Sequence, residues 1–146
     1  MRVKIRRTKN LDLVRKLNSQ FFSEAPLSSD GLENSVWFVA LDGDEPVGFA
    51  GSYVGIKGEV WLLRIAVART HRRLGVGGRL LSVRLRHIKK HHPDCEMFTY
   101  VQCTNFASNR NLVKHDFTPY RIDIDSNKDE WLFFWRGPFN KQTDPV

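Results

Sequence analysis

Arg72-Arg73-Leu74-Gly75-Val76-Gly77-Gly78 follows the apolar run Trp61-Leu62-Leu63-Arg64-Ile65-Ala66-Val67 and opens a periodic run from Arg79 to Ile88. A strand, a basic loop with glycines and a helix N-terminus in that order build an anion cradle. Free backbone N–H groups and the positive end of the helix dipole converge there. Phosphate is the expected guest. Two nucleotide motifs are excluded: Leu80 occupies the third glycine position of G-x-G-x-x-G, and no Gly-Lys-Ser/Thr follows.

The helix after the loop is expected from about Gly77 to His91, with Leu81, Leu85 and Ile88 facing the core and Arg79, Arg86 and Lys90 turned away. Pro93 ends it, and Glu96 to Gln102 reads as the next strand. Before the loop, Val3 and Ile5 alternate with Lys4 and Arg6 as a short strand, and Leu13, Val14, Leu17 and Phe21 recur at helical spacing after Asn10. Glu24 to Asn34 has the composition of a loop. Ser35 to Leu41 and Val47 to Val54 flank the hairpin signal Asp42-Gly43, and Glu59 to Val67 is apolar enough to be buried on both faces. Asn105 starts a helix carrying Phe106, Leu112 and Val113, and strands follow near Phe117 to Ile124 and Glu130 to Arg136. The fold class is α/β, a mixed sheet of six to seven strands flanked by helices in the order β-α-β-β-β-α-β-α-β-β. One domain covers residues 1–136, and residues 137–146 form a C-terminal tail.

At 146 residues the chain has the size of one domain, and no repeat or low-complexity block interrupts it. The formal charge of +7 admits nucleic acid, an anionic surface or a polyanionic small molecule as partner. Its distribution is more informative. From Arg69 to His92 there are eight Arg or Lys and four His without one carboxylate, around the loop and its helix. Cys95 and Cys103, if on one strand, stand about 26 Å apart, too far for a disulfide. A reducing, cytoplasmic setting is therefore expected. No apolar run approaches membrane-spanning length.

Arg72-Arg73-Leu74-Gly75-Val76-Gly77 matches the Q/R-x-x-G-x-G/A signature of the GNAT superfamily of N-acetyltransferases, and the chain resembles that superfamily over roughly residues 1–136. Ile65-Ala66-Val67 looks like the family's fourth strand, and Asn105-x-x-Ser108 through Lys114-x-Asp116-Phe117 looks like its N-x-x-A…K-x-G-F segment. The resemblance implies acetyl-CoA as co-substrate, its pyrophosphate on the amides of Arg73, Leu74, Gly75, Val76, Gly77 and Gly78, with Arg72, Arg73 and Arg79 nearby. It also implies that backbone at Ile65, Ala66 and Val67 pairs with the pantetheine arm, and that Asn105 and Ser108 bond the cofactor. For Asn105 simple helix capping is an equal alternative.

The family often places a tyrosine in the last helix to protonate the leaving thiolate, and here alignment puts Leu112 there. Asp116 replaces the usual glycine before Phe117. Candidate proton-transfer groups are Glu59, on the strand face shared with Trp61, Leu63 and Ile65, and Tyr100, with Cys103 as a further donor. A packed or solvated side chain is the plainer reading for each. His87 and His91 are spaced i, i+4, but the lysines between them and the lack of a neighbouring glutamate argue against a metal, and none is expected.

The implied reaction is N-acetylation of a primary amine in a ternary complex, the amine belonging to a small molecule, a peptide or a protein. Two rivals stay open: an acyl-CoA-binding homologue without chemistry, and a basic nucleic-acid-binding module. Glu24, Asp30, Glu33, Asp123 and Asp125 lie in segments that border the acceptor side in relatives. The tail and last strands are candidates for a homodimer contact.

Overall fold

The computed structural model describes residues 2–126 and 128–138. Its strands are β1 (Val3–Thr8), β2 (Ser35–Asp42), β3 (Glu45–Val54), β4 (Val60–Val67), β5 (Met97–Gln102), β6 (Thr118–Asp125) and β7 (Glu130–Arg136). They form one sheet in the order β1-β2-β3-β4-β5-β7-β6. Among neighbouring strands β4 and β5 alone run parallel, joined by the crossover helix α3 (Val76–His91); every other neighbouring pair is antiparallel. The order of strands and longer helices read from the sequence is the order observed, with one short helix added before β2. The tail read at residues 137–146 falls mostly on 139–146, outside the described residues.

Alternation along β2 sends Trp37 and Val39 to one side and Phe38 and Ala40 to the other. On the first side, α1 (Leu11–Phe21) delivers Val14 and Leu17 against Trp37 and Phe49. On the second, α3 delivers Val76 and Leu80 against Phe38 and Ala50. Farther along the same face, Leu81 and Ile88 of α3 join Leu112 of α4 (Phe106–Lys114), Phe117 and Trp135. Phe106 and Val113, read as part of the apolar side of α4, are exposed instead, because the short helix buries only Leu112.

Glu24 to Asn34 is not wholly irregular. It holds α2 (Ser29–Glu33), whose N-cap Ser28 accepts from Gly31 N at 3.0 Å and whose Leu32 is buried against Trp37. Periodicity cannot reveal a helix this short with a single core residue. His87 packs edge-on to Phe38 and lies beside His91. Burial first, then the charge of His91, lowers its pKa and keeps the ring neutral near pH 7.

Candidate functional site

Strands β4 and β5 part company soon after they meet. They pair only at Val60↔Met97 and Trp61↔Phe98, and the Thr99 hydroxyl donates to Leu62 O at 3.2 Å just beyond. From there β4 stays with β3 while β5 follows β7, which opens a V through the sheet with its vertex at Leu62 and Thr99. A cleft of about 690 Å³ fills the opening. It also explains why β4, expected to be buried on both faces, is only half-buried from Leu63 to Val67.

A bulge in β4 shapes one wall. Ala50 pairs with Ile65 and Gly51 with Leu63, so Arg64 is the extra residue, and it takes a left-handed φ of 39°. The alternation of side chains therefore shifts at Arg64. Glu59, Trp61, Leu63 and Ile65 do not share one face as strict alternation requires: Ile65 packs in the α3-side core with Val67, and Arg64 lies over the Phe22 ring at 5.2 Å.

The loop between β4 and α3 opens with a 3-10 turn, Arg69–His71, clamped by His71 Nε2 to Asp42 Oδ2 at 2.8 Å. The Arg72 side chain turns back to donate from Nε to Val67 O at 3.1 Å, so it secures the strand end rather than reaching outward. Arg73 and Gly75 take left-handed φ values of 64° and 82°. No backbone N–H from Arg73 to Gly78 donates to a protein acceptor among the described residues. These amides converge on the N-terminus of the 16-residue α3, next to the exposed cations Arg73 and Arg79. A Cβ added at Gly77 would meet only Val67 Cγ2 at 3.9 Å and Ile65 Cδ1 at 4.0 Å, ordinary contact distances. The surroundings of Gly77 leave room for a Cβ. The cleft is lined by β4 as far as Ile65, and the chain runs on through Ala66 and Val67 into the loop, an order that suits an elongated ligand with a phosphorylated end.

On the opposite wall, Asn105 Oδ1 accepts from Ser108 N at 3.2 Å and caps α4, while both residues line the cleft. Capping thus occupies one oxygen of Asn105 and leaves its amide group for a ligand. An Asn105→Ala variant is expected to lose about 1 kcal/mol in chemical denaturation, with m unchanged.

The two proton-transfer candidates are not brought together. Tyr100 lines the cleft and packs against Phe134, the rings tilted by 36° with centroids 5.5 Å apart. Glu59 sits in the turn before β4, where its Oε2 accepts from Lys57 N at 3.1 Å, and it borders a separate depression with Ile56 and His92. Cys95 and Cys103 are both free thiols, and burial pushes the Cys95 thiol up. Leu112 is buried and lines the cleft. Asp116 adopts a left-handed φ of 65°, so the turn before Phe117 keeps the geometry a glycine would give it.

Sequence reading passed over two residues of the cleft. Tyr53 donates its hydroxyl to Asp30 Oδ2 at 2.6 Å, and that hydrogen bond, foremost, raises the phenol pKa so that it stays protonated. The second is Arg84, on α3. It is 3% exposed and lies at i+3 from Leu81 and i−4 from Ile88, on the core stripe itself. Helical spacing marks this position; its charge disguised it.

Residues 8–117 match the model of the acetyltransferase (GNAT) family. No curated protein sequence matches the chain. Among solved structures, the ribosomal-protein-S18-alanine N-acetyltransferase from Escherichia coli superposes with a TM-score of 0.80 at 18% identity, covering 99% of both chains. An Arabidopsis thaliana protein in complex with the bisubstrate analogue CoA-Ac-MVNAL gives 0.77 at 20% identity, over 95% of this chain and 100% of that one. A putative streptothricin acetyltransferase from Bacillus anthracis in complex with acetyl coenzyme A gives 0.70 at 19% identity, over 95% and 99%. At these identities the structures establish a common fold, and the match from Thr8 to Phe117 establishes kinship: the chain belongs to the acetyltransferase (GNAT) family.

Proposed function

We propose that the protein is an acetyl-CoA-dependent N-acetyltransferase acting on a primary amine in a ternary complex. One observation carries the reading: a sheet opened at β4 and β5 runs directly into a loop whose amides from Arg73 to Gly78 have no protein acceptor among the described residues. The loop amides would hold the pyrophosphate, with Arg73 and Arg79 adding positive charge. The backbone of Ile65, Ala66 and Val67 would pair with the pantetheine arm along the edge that β5 leaves open, and Asn105 and Ser108 would meet it from α4. When bound, the co-substrate supplies an activated acetyl thioester near the vertex. Oriented N–H groups at the β4 bulge would polarise its carbonyl.

The acceptor would enter from the face opposite α3, where Asp30, Tyr53, Tyr100 and Glu130 border the cleft. Carboxylates there favour a cationic amine, which includes peptide and protein N-termini as well as small amines. Tyr100 would relay a proton through water at that mouth, and Glu59, in its turn, has no part in this reading. Peptide acceptors draw support from the solved relative bound to CoA-Ac-MVNAL.

Thiol release from acetyl-CoA, screened across polyamines, aminoglycosides, amino acids and peptide N-termini, tests the activity. Turnover with at least one cationic amine is expected, and none with any of them would count against it. An Asp30→Asn variant should raise KM for that amine about fivefold and leave KM for acetyl-CoA unchanged, an exposed charge being worth roughly 1 kcal/mol.

A further inference from the structure

Arg84 is buried, yet it is in no ion pair among the described residues. Its Nη1 donates to Gly51 O at 3.1 Å and Leu63 O at 3.4 Å, and its Nε to Leu80 O at 3.4 Å. Gly51 and Leu63 are the paired residues at the β3–β4 bulge, so the guanidinium caps carbonyls that the bulge leaves short of partners. Nη2 has no protein acceptor among the described residues, and the residue lines the cleft.

Capping two carbonyls needs donors, not a positive charge. A neutral amide would serve, whereas a guanidinium buried without a carboxylate carries a large desolvation cost. Burial lowers its pKa to about 9, which still leaves it charged at neutral pH. Proteins keep such a costly charge where a ligand or a reaction supplies the missing anion. The position narrows the choice. Arg84 stands at the level of Leu63, one residue beyond the Leu62–Thr99 closure, so a chain entering from the loop brings its reactive end there. It also approaches from the α3 side, beside Leu81 and Leu112, where the proposed cofactor runs.

Acetyl transfer creates an anion at that place. The amine nitrogen bonds to the thioester carbon, the C–S bond breaks, its electron pair leaves on sulfur, and the surplus amine proton passes to solvent. We propose that Arg84 is a catalytic residue, its free Nη2 contacting the CoA sulfur and stabilising the thiolate as it departs. With apolar Leu112 on the facing wall, the stabilisation comes from charge rather than from proton donation.

This inference rests on the acetyltransferase reading, and one experiment separates the two. CoA bound to the protein is titrated by the ultraviolet absorbance of its thiolate, with desulfo-CoA as the affinity control. The bound thiol should ionise about one pH unit or more below free CoA, and Arg84→Gln should return it to the free value without changing desulfo-CoA affinity. Arg84→Gln should also lower kcat about 100-fold with little change in KM for acetyl-CoA, and Arg84→Lys should recover part of both effects. A bound thiol that titrates like free CoA in the unaltered protein overturns the role of Arg84 while leaving the acetyltransferase reading intact, even if the variants fail to fold. Failure of the unaltered protein to bind either CoA or desulfo-CoA overturns both.

Discussion

A Gly77→Leu protein is expected to fold normally and to lose acetyl-CoA binding by about 100-fold or more. The first half follows from the space around Gly77, which is half-buried and where a Cβ meets Val67 and Ile65 only at ordinary contact distance. Leucine also favours a helical position over glycine by roughly 0.8 kcal/mol, so the free protein should be slightly more stable. The second half follows from the amides. A side chain projecting into the cradle displaces the pyrophosphate from at least two charge-assisted hydrogen bonds worth about 1.5–3 kcal/mol each, which is a factor of about 100 or more in affinity. Gly75 makes a less clean target, because its φ of 82° strains any other residue with or without ligand. Thermal denaturation reads both halves. Acetyl-CoA at 100 times the parent's Kd should stabilise the parent by about 2.7 kcal/mol and the variant by about 0.4 kcal/mol or less. Equal stabilisation of the two proteins would remove the pyrophosphate from this loop.

Trp37→Ala is expected to cost about 4 kcal/mol of stability and to damage the acceptor side of the cleft more than the cofactor side. Trp37 is among the largest fully buried side chains, stacked on Phe49 with centroids 6.0 Å apart. Its indole N–H donates to Leu32 O at 2.9 Å and so ties α2 to the sheet. The ring lies across Gly51, where a Cβ would come within 2.5 Å of it. Truncation leaves a cavity and an orphaned carbonyl together, the upper part of the range for large-to-small core changes. For a domain of this size that lowers Tm by roughly 8–16 °C. Asp30 and Gly31, on α2, line the cleft at the proposed acceptor mouth. In the surviving folded fraction KM for the amine should therefore rise while KM for acetyl-CoA holds. A parallel rise in both would mean that α2 does not shape the acceptor wall.

The parts of this fold legible in the sequence are those that repeat a period. The hairpin at Asp42-Gly43, the strand before the loop and the helix after it all follow from alternation, turn chemistry and capping. The turn into α3 was legible too, because glycines just before a periodic run mark a helix start. What escaped was non-periodic or non-local. The bulge at Arg64 depends on how β3 and β4 pair, and one extra residue reverses every face assignment beyond it. The Tyr53–Asp30 hydrogen bond spans a sequence separation of 23 and needs α2, itself too short to announce. Arg84 stands in plain periodic register, but its charge hides its burial, because charged residues are rarely buried and violations of that rule gather where function demands them.

The central claim is that acetyl-CoA lies along β4 with its pyrophosphate on the amides that precede and open α3. Amide hydrogen exchange with and without acetyl-CoA tests it most directly, since those N–H groups have no protein acceptor among the described residues. New protection is expected at residues 73–78 and 65–67, with little change in β1, β2 and α1. Protection confined to other segments, or none at saturating acetyl-CoA, would contradict it.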